Sequence, residues 1–323
     1  MTVPTYGSIA AYGSGPVARV MKAREAVETV RSYVMGSQAE DISVLAQPYS
    51  ASAQPSQLIL DIPKKATPVG CYVTAGLNTF LVRAVGVNGT VLDVVPAPDG
   101  GPISDIAAGE FVRIKPAFTN WAIFREIQSE IDGMSSRDTG LYWPWVLEST
   151  DLSWSEGVYS IPDRADGTWP FRMVKAEYLA SGSNIYQAFT DAEYQPQNNA
   201  IRVFSDPPQV AMYRFTMACY YGQMNSLDTD LSTVGLTAAL AGIPMLGAAA
   251  TMVLGWEGRR TEPMTQGDPR RAAEVAVSSN ASLARQWRLQ QQAAITQEQS
   301  RLAGAYGYRQ PMSLGLEQRT SRW

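Results

Sequence analysis

The sequence of 323 residues contains no histidine. This absence excludes Ser–His–Asp and Cys–His nucleophilic catalysis, histidine as a general base, and every metal site that needs an imidazole ligand. Cysteine is nearly absent too, because Cys71 and Cys219 are the only two. They are too far apart in the sequence for a CxxC pair or a zinc cluster, so we expect two buried free thiols.

Lysine is scarce, and none lies beyond Lys175. Residues 259–323 instead carry ten arginines and five acidic residues, a net charge of +5. Since the whole chain has a net charge of −4, the remainder carries −9. An acidic body argues against nucleic-acid binding by the whole chain. The basic arm indicates either a solvated tail or a segment that docks onto an acidic partner.

The sequence offers no motif for catalysis, cofactor binding or metal binding. No glycine-rich spacing typical of a phosphate loop occurs. The acid pairs Asp151/Glu156 and Asp163/Asp166 could serve glycoside hydrolysis, but they lie in predicted turns, where aspartate is an ordinary turn former. A Ser–Lys dyad stays open because five lysines are present. We therefore expect a protein that is not an enzyme and that needs no cofactor.

Two apolar stripes predict helices on either side of a β-rich stretch. We expect the first helix over about residues 16–36 and the second over 119–134, packed together as a helical bundle within residues 1–140. Each stripe repeats at three- and four-residue spacing. The residues expected to pack across the two helices are Val20, Val27, Val30, Phe124, Ile127 and Ile131.

Between these helices, residues 40–116 predict a small β-barrel or sandwich inserted into the bundle. The segment contains short runs of β-branched and apolar residues separated by turn signals. Asn88-Gly89 is a strong two-residue hairpin turn, since both positions tolerate a positive φ. The expected strands are Gln57–Ile62, Cys71–Thr74, Thr79–Val85, Thr90–Val95 and Glu110–Ile114.

Residues 141–222 predict a second, aromatic-rich antiparallel β-domain. Its four tryptophans, Trp143, Trp145, Trp154 and Trp169, are candidate interface aromatics. They fill a core or a subunit interface, where Trp contributes much of the energy, or they stack on sugar rings. The six expected strands are Tyr142–Glu148, Gly157–Ile161, Trp169–Tyr178, Ile185–Phe189, Ala200–Phe204 and Val210–Tyr220.

Residues 223–323 predict a small-residue helical segment followed by a C-terminal docking helix and an extended tail. The uncharged run Leu231–Trp256 is rich in small residues, which favours tight packing between subunits over a membrane span. The last helix is expected over Ser279–Ala303, with a thin stripe that needs a partner. Its stripe residues are Leu283, Trp287, Leu289, Ala293, Ile295 and Leu302. The whole chain is thus of the α+β class.

Three segments carry a resemblance to a known family: VARVMKAREAVETVRSYV; the stretch from PVGCYVTAGLNTFLVRAVGVNGTVLDVV to GEFVRIKPAFTNWAIFREIQSEIDGMSS; and GDPRRAAEVAVSSNASLARQWRLQQQAAITQEQSRLAGAYG. Their order resembles the head-to-tail connector (adaptor or neck) proteins of long-tailed bacteriophages. That family has a helical bundle, a β-insert and a C-terminal helix that docks onto the portal ring. The long aromatic β-domain exceeds the minimal pattern of the family.

The resemblance implies a structural subunit of a virion neck ring, assembled in the host cytoplasm, with twelve-fold symmetry and no membrane association. Its partners would be the portal protein and the next neck or tail protein, and DNA would pass through the lumen without specific binding. The alternative is a glycan-binding virion protein for host attachment. The candidate portal-docking residues are Arg285, Trp287, Arg288, Leu289, Arg301, Arg309, Arg319 and Arg322.

Overall fold

The computed structural model describes residues 20–35, 40–52, 56–135, 141–164, 168–205, 210–264 and 279–306. The described residues form a mixed α+β structure with four α-helices and three antiparallel sheets. They divide into two compact units. The first unit holds the described residues of 14–134 and 221–293, and the second holds those of 135–220 and 294–306. The helices are α1 (Ala23–Met35), α2 (Asn120–Met134), α3 (Gly242–Met264) and α4 (Ser279–Tyr306).

A curved six-stranded sheet occupies the sequence between α1 and α2. Its strands are β1 (Asp41–Val44), β2 (Gln57–Ile59), β3 (Tyr72–Ala75), β4 (Asn78–Val85), β5 (Val91–Pro96) and β6 (Phe111–Ile114). The spatial order is β1-β6-β3-β4-β5-β2, and an isolated bridge between Leu45 and Leu60 joins the two edge strands. Alternate strand residues point inward, so the concave side encloses an apolar core that includes Leu58, Phe80 and Leu92.

The hairpin between β4 and β5 is confirmed, but its turn differs from the expected one. Regular pairing ends at Val85 and Leu92, and the loop between them is longer than two residues. The Gly89 N–H donates to the Gly86 carbonyl at 2.8 Å, and Gly89 has a φ of +71°. Asn88 is not among the residues with positive φ. The prediction of a two-residue turn is therefore wrong, because glycine alone supplies the left-handed position.

Helices α1 and α2 bury the predicted stripes, with one exception. Val27, Ile127 and Ile131 are all at most 1% exposed, and α1, α2 and α3 contact one another pairwise. Val20, however, is 47% exposed, and the expectation that it packs between the helices is wrong. The helix begins later than predicted because Lys22 forms a β-bridge with Asp230, which holds the preceding backbone extended.

The small residues of 231–256 do not break a helix, since Gly242 and Pro244 stand in the first turn of α3. Proline fits there because the first N–H groups of a helix have no partner within it. Ala248, Ala249 and Ala250 are fully buried within their own chain, so these three small residues pack inside the first unit. Among the helices in the described ranges, none is both long and apolar enough to cross a membrane.

The strands of the second unit are β7 (Trp143–Glu148), β8 (Ser153–Ser155), β9 (Val158–Ser160), β10 (Pro170–Ala180), β11 (Tyr186–Ala188), β12 (Ala192–Gln195), β13 (Ala200–Val203) and β14 (Val210–Cys219). They form two four-stranded antiparallel sheets, ordered β11-β10-β14-β7 and β12-β13-β9-β8. Side chains of both sheets share one core, which includes Leu147, Ile201 and Phe215. The six expected strands are present, and two short strands, β8 and β12, were not predicted.

Candidate functional site

The C-terminal helix α4 is present and runs one turn beyond its predicted end, to Tyr306. Its least exposed positions follow three- and four-residue spacing, as one face of a helix requires. They are Ala284, Trp287, Gln291, Ile295, Glu298 and Leu302. The predicted stripe was wrong at Leu289, which is 66% exposed, and at Ala293, which is also exposed. The buried face of this helix was mispredicted because Gln291 and Glu298 take two positions that an apolar residue would normally occupy.

Trp287, a candidate docking residue, is half-buried against its own chain. Its ring centroid lies 6.0 Å from that of Tyr33 in α1, at an interplanar angle of 35°. Aromatic pairs at such distances contribute about 0.5–1.5 kcal/mol beyond the area that they bury. Part of the Trp287 surface therefore stabilises the first unit, whereas the sequence expected it to face a partner.

Arg288 is also engaged within the first unit. Its guanidinium binds both carboxylate oxygens of Glu130 in α2, at 2.8 Å and 3.0 Å. It also donates to the Thr251 hydroxyl of α3 at 2.6 Å and to the Gln291 amide oxygen at 2.8 Å. A guanidinium that binds a carboxylate through two nitrogens has a fixed orientation. The structure thus places Arg288 as a contact between helices of one chain.

Arg285 and Leu289 remain on the outward side of α4, one helical turn apart. Arg301 is exposed, and it donates to both oxygens of the buried Glu298 at 2.6 Å and 2.7 Å. Leu289 is the largest exposed apolar side chain on this helix. The remaining candidate docking residues, Arg309, Arg319 and Arg322, lie outside the described residues.

Two of the four candidate interface tryptophans pack against the core of the second unit. Trp143 and Trp145 stand two residues apart on β7 and face the shared core. The Arg164 guanidinium carbon lies 3.8 Å from the Trp143 ring centroid and 4.9 Å from that of Trp145. These distances are within the range of a cation–π contact. Of the alternatives predicted for the four tryptophans, Trp143 and Trp145 fit the one in which they pack against a core.

The other two tryptophans are exposed. Trp154 is 62% exposed and stands at the centre of β8, an edge strand of its sheet, whereas Trp169 is 52% exposed and precedes β10. Their flat apolar faces are available for contact with a protein surface or a sugar ring.

The described part of the chain contains no cluster of three or more acidic or cysteine side chains that could hold a metal ion. Asp151 lies in a 3₁₀ turn, and Glu156 occupies a left-handed turn position with φ of +51°, as expected for turn residues. Asp166 lies outside the described residues. Burial raises the pKa of the Cys71 thiol, and the positive charge of Lys115 offsets part of that rise.

The structure places three residues in these contacts that were not among the predicted site residues: Glu130, Gln291 and Arg164. Gln291 and Glu298 fall seven residues apart in step with Ala284, and this heptad spacing was the available signal. It was overlooked because polar residues do not count toward an apolar stripe. Arg164 could not be found from the sequence, since a cation–π contact across a fold leaves no local pattern.

Comparison with known proteins gives no lead of its own: neither protein-family models, nor curated proteins, nor solved structures match the chain. The functional interpretation therefore depends on the residues and contacts described above.

Proposed function

We propose that the chain is a structural, non-enzymatic subunit of a virion neck ring. In this proposal the ring joins the portal to the next neck or tail protein and encloses part of the DNA channel. Helices α1 and α2 would form the bundle and the six-stranded sheet its insert. The expected C-terminal tail lies outside the described residues beyond Tyr306. The family resemblance supplies the twelve-fold symmetry and the assembly in the host cytoplasm.

One observation carries this proposal: a complete β-sheet is inserted between two helices that pack against each other. Helix α1 ends at Met35, all six strands fall between Asp41 and Ile114, and α2 begins at Asn120. The helices nevertheless contact each other and share α3 as a third partner. The combination of helix, inserted sheet, helix and C-terminal helix is the pattern on which the resemblance depends.

The outward surface of α4 supports its use as a docking element. Between Arg285 and Tyr306 the one acidic residue is Glu298, and its side chain is buried. The outward residues are arginine, glutamine, small residues and Leu289, so an acidic partner with an apolar pocket fits this face. The acidic remainder of the chain would repel DNA phosphates, which supports passage of DNA without binding.

The proposal can be tested by co-expressing the chain with the portal protein encoded in the same genome. Size-exclusion chromatography with light scattering would then measure the mass of the complex. We expect a stable complex for the wild-type chain and at least about tenfold weaker association for Leu289→Asp, which places a charge in the proposed contact. Leu254→Asp is the matched control, because Leu254 is an exposed leucine of α3 and lies outside the proposed contact.

Complex formation that tolerates Leu289→Asp as well as Leu254→Asp would remove α4 from the interface. A wild-type chain that does not associate with the portal would contradict the proposed function itself.

The exposure of Trp154 and Trp169 favours one second candidate, a glycan-binding virion protein for host attachment. A glycan array separates the two functions. A binding protein would retain specific sugars and lose them in Trp154→Ala, whereas a neck subunit would give no specific signal with either form. Trp143→Ala is a poor probe here, because Trp143 packs against the core.

A further inference from the structure

Gly247 of α3 lies against a hydrogen bond that joins α2 to α4. At Gly247 a methyl group would overlap both the Glu130 carboxylate of α2 and the Gln291 amide of α4. These two groups are themselves joined, because the Gln291 amide nitrogen donates to Glu130 Oε2 at 2.7 Å. A methyl group at position 247 would therefore have to displace the ends of these two side chains from the positions in which they form this hydrogen bond.

The same carboxylate is the centre of a closed set of contacts. Arg288 reaches Glu130 Oε1 at 2.8 Å and Glu130 Oε2 at 3.0 Å, and it also contacts Gln291 and Thr251. The Glu130 side chain is 14% exposed, so its charge is largely removed from water and depends on these donors. One turn of α4 is thereby tied to α2 and α3 through hydrogen bonds in fixed geometry.

Apolar packing alone gives this part of α4 little preference for one rotational setting. Up to Ala293, Ala284 is the one fully buried apolar side chain, and the larger side chains of Leu283 and Trp287 are half-buried. A helix with so little apolar surface can rotate or slide at low cost. A buried polar contact, by contrast, is satisfied in one register, and this is the best-attested use of such contacts.

We propose that Glu130, Arg288 and Gln291 form a clasp across Gly247, and that this clasp locks the first half of α4 onto α2 and α3 in a single rotational setting. The outward positions of α4, including Arg285 and Leu289, are then fixed before any partner binds. The sequence predicted that the thin apolar stripe of this helix needs a partner to pack against. For the first half of α4, helices α2 and α3 of the same chain are that partner. The clasp does not depend on the proposed function.

Gly247→Ala tests the clasp most directly, with Gly255→Ala as the matched control in the same helix. An added methyl group meets no atom within 4 Å at Gly255. Amide hydrogen exchange measured by mass spectrometry over residues 283–293 is the readout. We expect at least about tenfold faster exchange there in Gly247→Ala and no change in Gly255→Ala, because local opening sets the exchange rate.

A double substitution shows whether the clash involves the named groups. Adding Glu130→Ala to Gly247→Ala removes the carboxylate that the methyl group would meet, so the two effects on exchange should be far from additive. If Gly247→Ala does not fold, Arg288→Met, in which the donors alone are lost, should show the same faster exchange. Unchanged exchange over 283–293 in Gly247→Ala or Arg288→Met, or fully additive effects in the double variant, would overturn the proposal.

Discussion

Arg113 of β6 donates to the Glu40 carboxylate at 2.7 Å, and this contact joins the curved sheet to the helices of the first unit. The second oxygen of Glu40 accepts from Arg31 of α1 at 2.9 Å. The side chains of Arg31, Glu40 and Arg113 are each less than 10% exposed. Arg31 further donates to the Phe118 carbonyl and to Asn120, the first residue of α2. One buried carboxylate thus holds two arginines that fix α1, α2 and β6 together.

Removing that carboxylate is expected to destabilise the first unit strongly. Glu40→Gln would leave Glu28, whose side chain is 45% exposed, as the acidic partner that the two buried guanidinium groups still share. The loss should therefore lie near or below the lower end of the about 3–5 kcal/mol that follows when a buried ion pair loses one partner. Urea denaturation followed by circular dichroism measures the free energy of unfolding. Asp41→Asn is the control, because Asp41 is 55% exposed and its pair with Lys64 should contribute at most about 1 kcal/mol. Equal losses for the two variants would show that the buried network contributes no more than a surface pair.

The packing of α1 can be tested with two valines that the sequence treated alike. Val27 is 1% exposed and Val20 is 47% exposed. Val27→Asp would bury an unpaired charge and should cost several kcal/mol, whereas Val20→Asp should shift stability by at most about 0.5 kcal/mol. Thermal denaturation of the two variants measures the difference. A Val27→Asp protein with the melting temperature of the wild type would contradict the buried packing of Val27 in α1.

How far the sequence predicts this fold depends on whether a signal is local. The stripe of α2 and the antiparallel pairing of β4 with β5 were predicted from local side-chain patterns, and both are confirmed, although the turn between the two strands differs from the expected one. The start of α1 depends on a bridge from Lys22 to Asp230, about 200 residues away, which no local pattern contains. The face of α4 was mispredicted for a related reason, since Gln291 is buried by its hydrogen bond to Glu130 of α2. Contacts of this kind become visible only after the chain has folded.

The two cysteines should differ in reactivity. Neither forms a disulfide, but Cys219 is fully buried and Cys71 is only half-buried, which corrects the expectation of two buried thiols. Burial raises the pKa of the Cys71 thiol above its ordinary value of 9.0. At pH 8 we therefore expect iodoacetamide to label Cys71 more slowly than the same residue in urea, because the thiolate is the reactive form. Labelling of Cys219 in the folded protein would contradict its burial.

The raised pKa of Cys71 also predicts how stability depends on pH. The neutral thiol is favoured in the folded state, so its contribution is fully present below the ordinary pKa of 9.0. That contribution is lost as the pH rises through the higher pKa of the folded state. Cys71→Ser lacks this ionisation and should lose less stability between pH 8 and pH 10.5 than wild type, as measured by urea denaturation at each pH. An identical loss in both proteins would show that the thiol does not contribute.

The proposed neck ring is tested most directly by negative-stain electron microscopy of the chain co-purified with its portal protein. We expect class averages in which a closed ring of twelve subunits lies on the portal and surrounds an open central channel. The proposed neck ring would be contradicted by free monomers beside portals that carry no added density, or by a trimer that does not bind the portal.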